Sequence, residues 1–241
     1  MFTRTESFPS FIRLYPIISI ITAIHILLWL VISLPIPFSV TIIEQLIGVN
    51  FWIAEGELWR LITPIFLHIS FFHMLFNTFS LVLFGPALER MLGKSRFLIT
   101  YVGTGIIANI ATYFLEPLQY SHLGASGAIF GLFGVYVYIV TFRKDLIDQA
   151  NSQVIITIIV IALVMTFVNS NINVVAHLFG GLAGTIIAPF VIKNKMIYYT
   201  DHASSLNIQI RQWKKFRPKF SFKSFFWIII GILILFGLFA R

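Results

Sequence analysis

One serine, Ser126, stands among small residues in Gly124-Ala125-Ser126-Gly127-Ala128-Ile129-Phe130-Gly131, at the head of a long apolar run. A second apolar run opens on His177, and a third carries His68, His73 and Asn77. A serine hydroxyl is a weak nucleophile until a base takes its proton, and histidine is the usual base. Acyl transfer also needs N–H donors for the oxyanion that develops in the transition state. His73 and Asn77 are four residues apart, so a helix sets both on one face. The backbone N–H of Ser126 adds a third donor. His68, five residues before His73, would point elsewhere. Gly124 and Gly127 permit a turn ahead of the helix and close approach of a substrate backbone. The parts of a serine hydrolase are present.

An acid to orient the histidine can be sought by counting. The nine acids are Glu6, Glu44, Glu55, Glu57, Glu89, Glu116, Asp145, Asp148 and Asp201, and none falls inside an apolar run near the depth of His177. The residues therefore argue for a Ser–His dyad, with no triad. Packing and the bonding of its other ring nitrogen must then orient the imidazole. Phe130, one turn after Ser126 on the same face, is the natural stacking partner.

Other readings of the same residues stay open. Small-xxx-small spacings such as Gly127/Gly131 and Gly180/Gly184 are common devices for packing membrane helices. A lone serine in hydrocarbon can bond back to a carbonyl one turn earlier. His68, His73 and His177 could line a polar transport pathway. Three histidines could hold a metal or haem, but there is no His-Glu-x-x-His pattern and no intramembrane carboxylate to complete a hydrolytic zinc site. No metal and no cofactor is expected.

These residues need elements to carry them, and composition says what kind. The chain has 58% hydrophobic and 11% charged residues, with a mean hydropathy of +0.91. Soluble domains carry roughly 25% charge, so the expected class is all-α, a polytopic membrane bundle. With no cysteine, disulfides and thiolate chemistry are excluded. A net charge of +8 does not point to nucleic acid here, because basic residues at the ends of apolar runs record membrane topology. The partner this composition implies is the lipid bilayer.

Apolar runs predict spans over Leu14–Leu34 and roughly 64–86, 97–116, 124–142, 153–169 and 173–192, with a last run over 224–240. His25 in the first reads as a packed polar residue. Residues 35–63 mix Pro35, Pro37, Glu44, Glu55, Glu57 and Arg60 with Phe51, Trp52 and Trp59, which suits a loop in the interfacial zone. The expected organisation is a cytoplasmic segment (1–13), a six-span core (14–192), a basic cytoplasmic linker (193–223) and a seventh span (224–241). Placing the N-terminus in the cytoplasm leaves only Arg60 and Arg241 of the 17 basic residues outside, a strong positive-inside bias. Ser126, His73, Asn77 and His177 then share the outer half of the bilayer, and the C-terminus ends outside.

Several separated motifs together resemble the rhomboid family of intramembrane serine proteases. They are Trp59-Arg60, Thr63, Phe66-Leu67-His68, His73, Asn77, Gly85, Leu88-Glu89 and Gly93, then Gly124-Ala125-Ser126-Gly127, then Ala176-His177-Leu178-Phe179-Gly180 with Gly184. The resemblance covers about residues 10–195, in order and on the expected spans. It implies Ser126 as nucleophile, His177 as general base, and His73, Asn77 and the Ser126 amide as the oxyanion hole. It implies structural roles for Arg60 and Glu89, and places His68 near water held at the site. Transmembrane segments of other proteins are the implied substrates, cut near the outer face after lateral entry near the second and fifth spans. Many relatives carry Tyr one turn after the serine, where this chain has Phe130. Stacking on His177 survives that change, while a hydroxyl contribution does not. Rhomboid cores have six spans, so the run at 224–240 makes this a six-plus-one form. A rhomboid-like protein without catalysis would typically lack the serine or the histidine, and both are present. The sequence sets no oligomeric state; the compact core and short tails suggest a bacterial plasma membrane, with an organelle as the alternative.

Overall fold

Proline marks where the first helices begin. α1 (Phe8–Leu14), α2 (Pro16–Ser33) and α3 (Pro37–Leu46) each carry Pro in their first two positions, where its missing N–H costs no helical bond. The computed structural model describes residues 6–168 and 172–192. The expected basic linker (193–223) and seventh span (224–241) lie outside the described residues.

After α3 come a short strand β1 (Gly48–Val49), the helix α4 (Asn50–Ala54) and two 3₁₀ turns, Leu58–Leu61 and Thr63–Phe66. The helices α5 (Phe71–Leu92) and α6 (Lys94–Leu115) follow, then a strand β2 (Ser121–His122) that pairs antiparallel with β1. α7 (Ser126–Phe142), α8 (Gln149–Val168) and α9 (Val174–Val191) complete the described bundle. Five of these helices, α2, α5, α6, α8 and α9, are long and apolar enough to cross a membrane, and α7 is apolar but shorter. An all-α polytopic bundle is what the composition predicts.

Two expectations change. Residues 35–63 are not a loop but fold into α3, β1, α4 and a 3₁₀ turn. The reason lies in the carbonyls that α3 leaves unpaired at its C-terminal end. Arg60 donates to the carbonyls of Glu44 and Ile47 (both 2.7 Å), Trp59 Nε1 to Gln45 (3.1 Å) and Thr63 Oγ1 to Leu46 (2.7 Å). Arg60 also pairs with Glu57 at 2.5 Å. Phe51, Trp52 and Trp59 nevertheless stay exposed, as an interfacial surface requires.

The second span, expected over 64–86, is helical only over Phe71–Leu92. Pro64 lies in a 3₁₀ turn, Leu67 is extended, and Ser70 caps the helix by accepting from the His73 amide at 3.1 Å. At the other end Glu89 is accommodated because its carboxylate accepts from the amides of Ile17 (3.0 Å) and Ile18 (3.1 Å) at the start of α2. These amides have no intrahelical partner, and the positive end of the helix favours the charge.

α7 runs through the middle of the bundle, with most of its length buried. Its glycines let backbones meet. A Cβ on Gly180 would overlap the carbonyl of Gly127, one on Gly184 would overlap that of Gly131, and one on Gly134 that of Gly181. The two small-xxx-small pairs are thus one interface, α7 against α9 in register. On another side Gly131 leaves room for Thr104, and Gly105 for Ile65.

Candidate active site

Ser126 is the first residue of α7, and the strand-to-helix turn before it is pinned from two sides. The Gly124 amide donates to the Pro64 carbonyl at 2.8 Å, and the Ala125 amide to His68 Nε2 at 3.5 Å. Gly124 has φ +118°, in the region that favours glycine, and a Cβ there would lie 2.5 Å from His73 Nε2. So the glycine serves two needs, the turn and the room for His73. At Gly127 a Cβ would lie 2.8 Å from that of Ala108 and 3.5 Å from the Ala176 carbonyl oxygen, so this glycine packs α7 closely against α6 and α9.

His177 lies in the first turn of α9, which starts at an Asn173 cap accepting from the Ala176 amide at 2.9 Å. The close α7–α9 approach at Gly127 and Gly180 brings the start of α7 beside this turn. The Phe130 ring lies on the His177 imidazole, with centroids 4.0 Å apart and planes 17° from parallel. The second ring nitrogen, Nδ1, is 2.8 Å from the hydroxyl of Thr166 on α8.

From α5, Asn77 is buried and donates one amide hydrogen to the His73 carbonyl at 2.9 Å. Its second amide hydrogen is left for another acceptor. His68 is not on α5, as the second span predicts, but in the extended segment before it. Its ring therefore meets His73, with centroids 5.0 Å apart, rather than pointing away. His25 of α2 meets His68 in turn at 4.7 Å and lies 3.4 Å from the Tyr101 hydroxyl. A row of three imidazoles, His25, His68 and His73, thus backs the turn at Gly124. Among the described residues no group of His and acids is arranged to hold a metal.

Arg60 and Glu89 stand away from this cluster. One binds the end of α3, the other the start of α2. His122, in β2, is buried against Gly48, and both its ring nitrogens lack a partner among the described residues. Burial pulls its imidazole down to about 4, so it is neutral at pH 7.

Sequence reasoning missed Thr166 and underrated His25. Thr166 is one threonine in an apolar run, with no spacing to a motif, and helical threonines usually bond to their own backbone. His25 is set apart only by a contact that crosses 43 residues of chain, 68 − 25.

Residues 55–194 match the family model for the rhomboid domain. The chain belongs to the rhomboid family of intramembrane serine proteases. It is 55% identical to the rhomboid-family protein YdcA of Bacillus subtilis over 195 residues, 81% of this chain and 98% of that one. It is 44% identical over 139 residues to the rhomboid protease GluP of the same organism, 58% of this chain and 27% of that longer one. Rhomboid-like protease 2 of Toxoplasma gondii is 35% identical over 133 residues, covering 54% of this protease and 46% of its own length.

Proposed function

We propose that this protease cuts transmembrane segments of other membrane proteins with Ser126 as nucleophile and His177 as general base. The observation that carries the reading is the stack of Phe130, one turn from Ser126, on His177, which joins α7 to α9 at the head of both helices. His177 Nε2 takes the proton of Ser126 Oγ as that oxygen attacks the substrate carbonyl. The oxyanion accepts from the Ser126 amide, from the His73 ring and from the unused amide hydrogen of Asn77. The imidazolium then gives its proton to the leaving amine, and an acyl-enzyme remains. A water molecule, deprotonated by the same histidine, releases the second product and restores the serine.

Depth follows from length. α7 has 17 residues and is about 26 Å long, against a hydrocarbon core of about 30 Å. A nucleophile at its first residue therefore lies a few ångströms below one membrane surface when the other end reaches the opposite one. The basic residues around the end of α5, the start of α6 and the end of α7, Arg90, Lys94, Arg96, Arg143 and Lys144, support a cytoplasmic position for that opposite end. Cleavage then occurs near the outer face, with the N-terminal segment inside.

A serine-reactive fluorophosphonate probe tests the assignment in detergent. Wild type is labelled, and Ser126→Ala is not while retaining its helical content. Labelling of Ser126→Ala at the wild-type level would refute it.

A further inference from the structure

We infer that Thr166 of α8 is a positioning residue for His177, taking the place of the acid that a triad would supply and selecting the ring tautomer. The inference rests on the reading of His177 as the general base.

The Thr166 hydroxyl is 2.8 Å from His177 Nδ1 and also 2.8 Å from the Ala162 carbonyl, four residues earlier on its own helix. A carbonyl only accepts, so the bond to Ala162 uses the single hydroxyl proton. Thr166 Oγ1 then has only lone pairs to offer the imidazole, and Nδ1 must be the nitrogen that carries hydrogen. Nε2 is left with its lone pair bare, as a base requires. Thr166 is 1% exposed and His177 7%, so water does not compete strongly for this bond. Phe130 fixes the plane of the ring, and Thr166 fixes its rotation within that plane.

The threonine also acts during the reaction. When Nε2 takes the serine proton the ring becomes cationic, and the Nδ1–H···Oγ1 bond becomes charge-assisted and stronger. A neutral oxygen stabilises this cation less than a carboxylate would, but it avoids burying a second charge in the bilayer. The buried residues of α8 are Ile155, Ile159 and Thr166, which lie along one face at helical spacing. The seating of that face against the bundle therefore sets the base. A displacement of α8 removes the acceptor from Nδ1.

The test compares Thr166→Val, which keeps the shape and loses the oxygen, with Thr166→Ser, which restores it. Cleavage of a transmembrane reporter is followed against pH. Expected for Thr166→Val is a kcat at least about tenfold lower, part of the about 10²–10⁴ that a general base contributes, with KM little changed and Thr166→Ser close to wild type. Its acidic limb also moves to lower pH, because the imidazolium has lost an acceptor. His73 is the other titratable group that acts on His177, and it is the same in all three proteins. An unchanged kcat and acidic limb in Thr166→Val overturns the inference. So does a limb moved to higher pH, the sign of a hydroxyl that donates to Nδ1, and so does equal loss in Val and Ser. Fluorophosphonate labelling of wild type but not of Ser126→Ala keeps failure here separate from failure of the dyad itself.

Discussion

Gly124 and His73 occupy space that neither can share with a methyl group. The positive φ of Gly124 already costs an L-residue about 1–2 kcal/mol, and an alanine Cβ would lie 2.5 Å from His73 Nε2. Gly124→Ala is therefore expected to move the proposed oxyanion donor His73 and lower reporter cleavage by at least about tenfold, with a loss of thermal stability in detergent from the same strain. Wild-type kcat in that variant would show that the ring is not held there for catalysis. Asn77→Ala removes one of the three proposed oxyanion donors. Its kcat should fall by about 10- to 100-fold, toward the low end of what one oxyanion donor contributes, and KM should hold. Ser126 and His177 could be proposed as a dyad from the sequence because nine acids could be counted and placed. The partners of the histidines were not, since Thr166 and His25 reach them from helices far away in sequence.

Elements explain why residues outside the cluster are needed. Glu89 receives two amides at the start of α2 and Arg60 covers carbonyls at the end of α3, so each closes a helix end that lipid cannot solvate. Glu89→Ala should lower stability by about 1–3 kcal/mol, the cost of stranded buried donors, read as a fall in the detergent unfolding midpoint. Glu89→Gln, which keeps one acceptor oxygen, should lose less; equal loss in both would point to packing alone. The β1–β2 ribbon carries a pH dependence of its own. His122 titrates at about 4 when folded, against an ordinary 6.5, so the folded state resists a proton that the unfolded chain accepts. The stability due to the neutral ring is present above about 6.5 and is lost as pH falls from there toward about 4. His122→Gln should flatten that part of the unfolding profile, and an identical slope in the variant would exclude the ring as its source. Hydropathy located the apolar helices to within a few residues but began the second span at 64. It does not register Pro64 or the Ser70 cap, which start the helix at Phe71. It also read 35–63 as a loop, because the bonds that order α3 come from Trp59, Arg60 and Thr63 further along the chain.

At the scale of the fold, the described residues form a bundle of apolar helices in which the central one, α7, is short and begins at the serine. On the proposed reading that arrangement lowers a polar site below the membrane surface, while glycine contacts hold α7 against α9. Family membership and the bundle were both readable from spaced motifs and composition, since each depends on residue type more than on distant contacts. The direction of the chain across the bilayer rests on basic residues alone. The central claim is that one serine and one histidine do the chemistry. Its most direct test is cleavage of a single-span reporter in proteoliposomes by wild type, Ser126→Ala and His177→Ala. The account predicts cut reporter with wild type and none above background with either variant, each still inserted and folded. Cleavage at the wild-type rate by either one would contradict it.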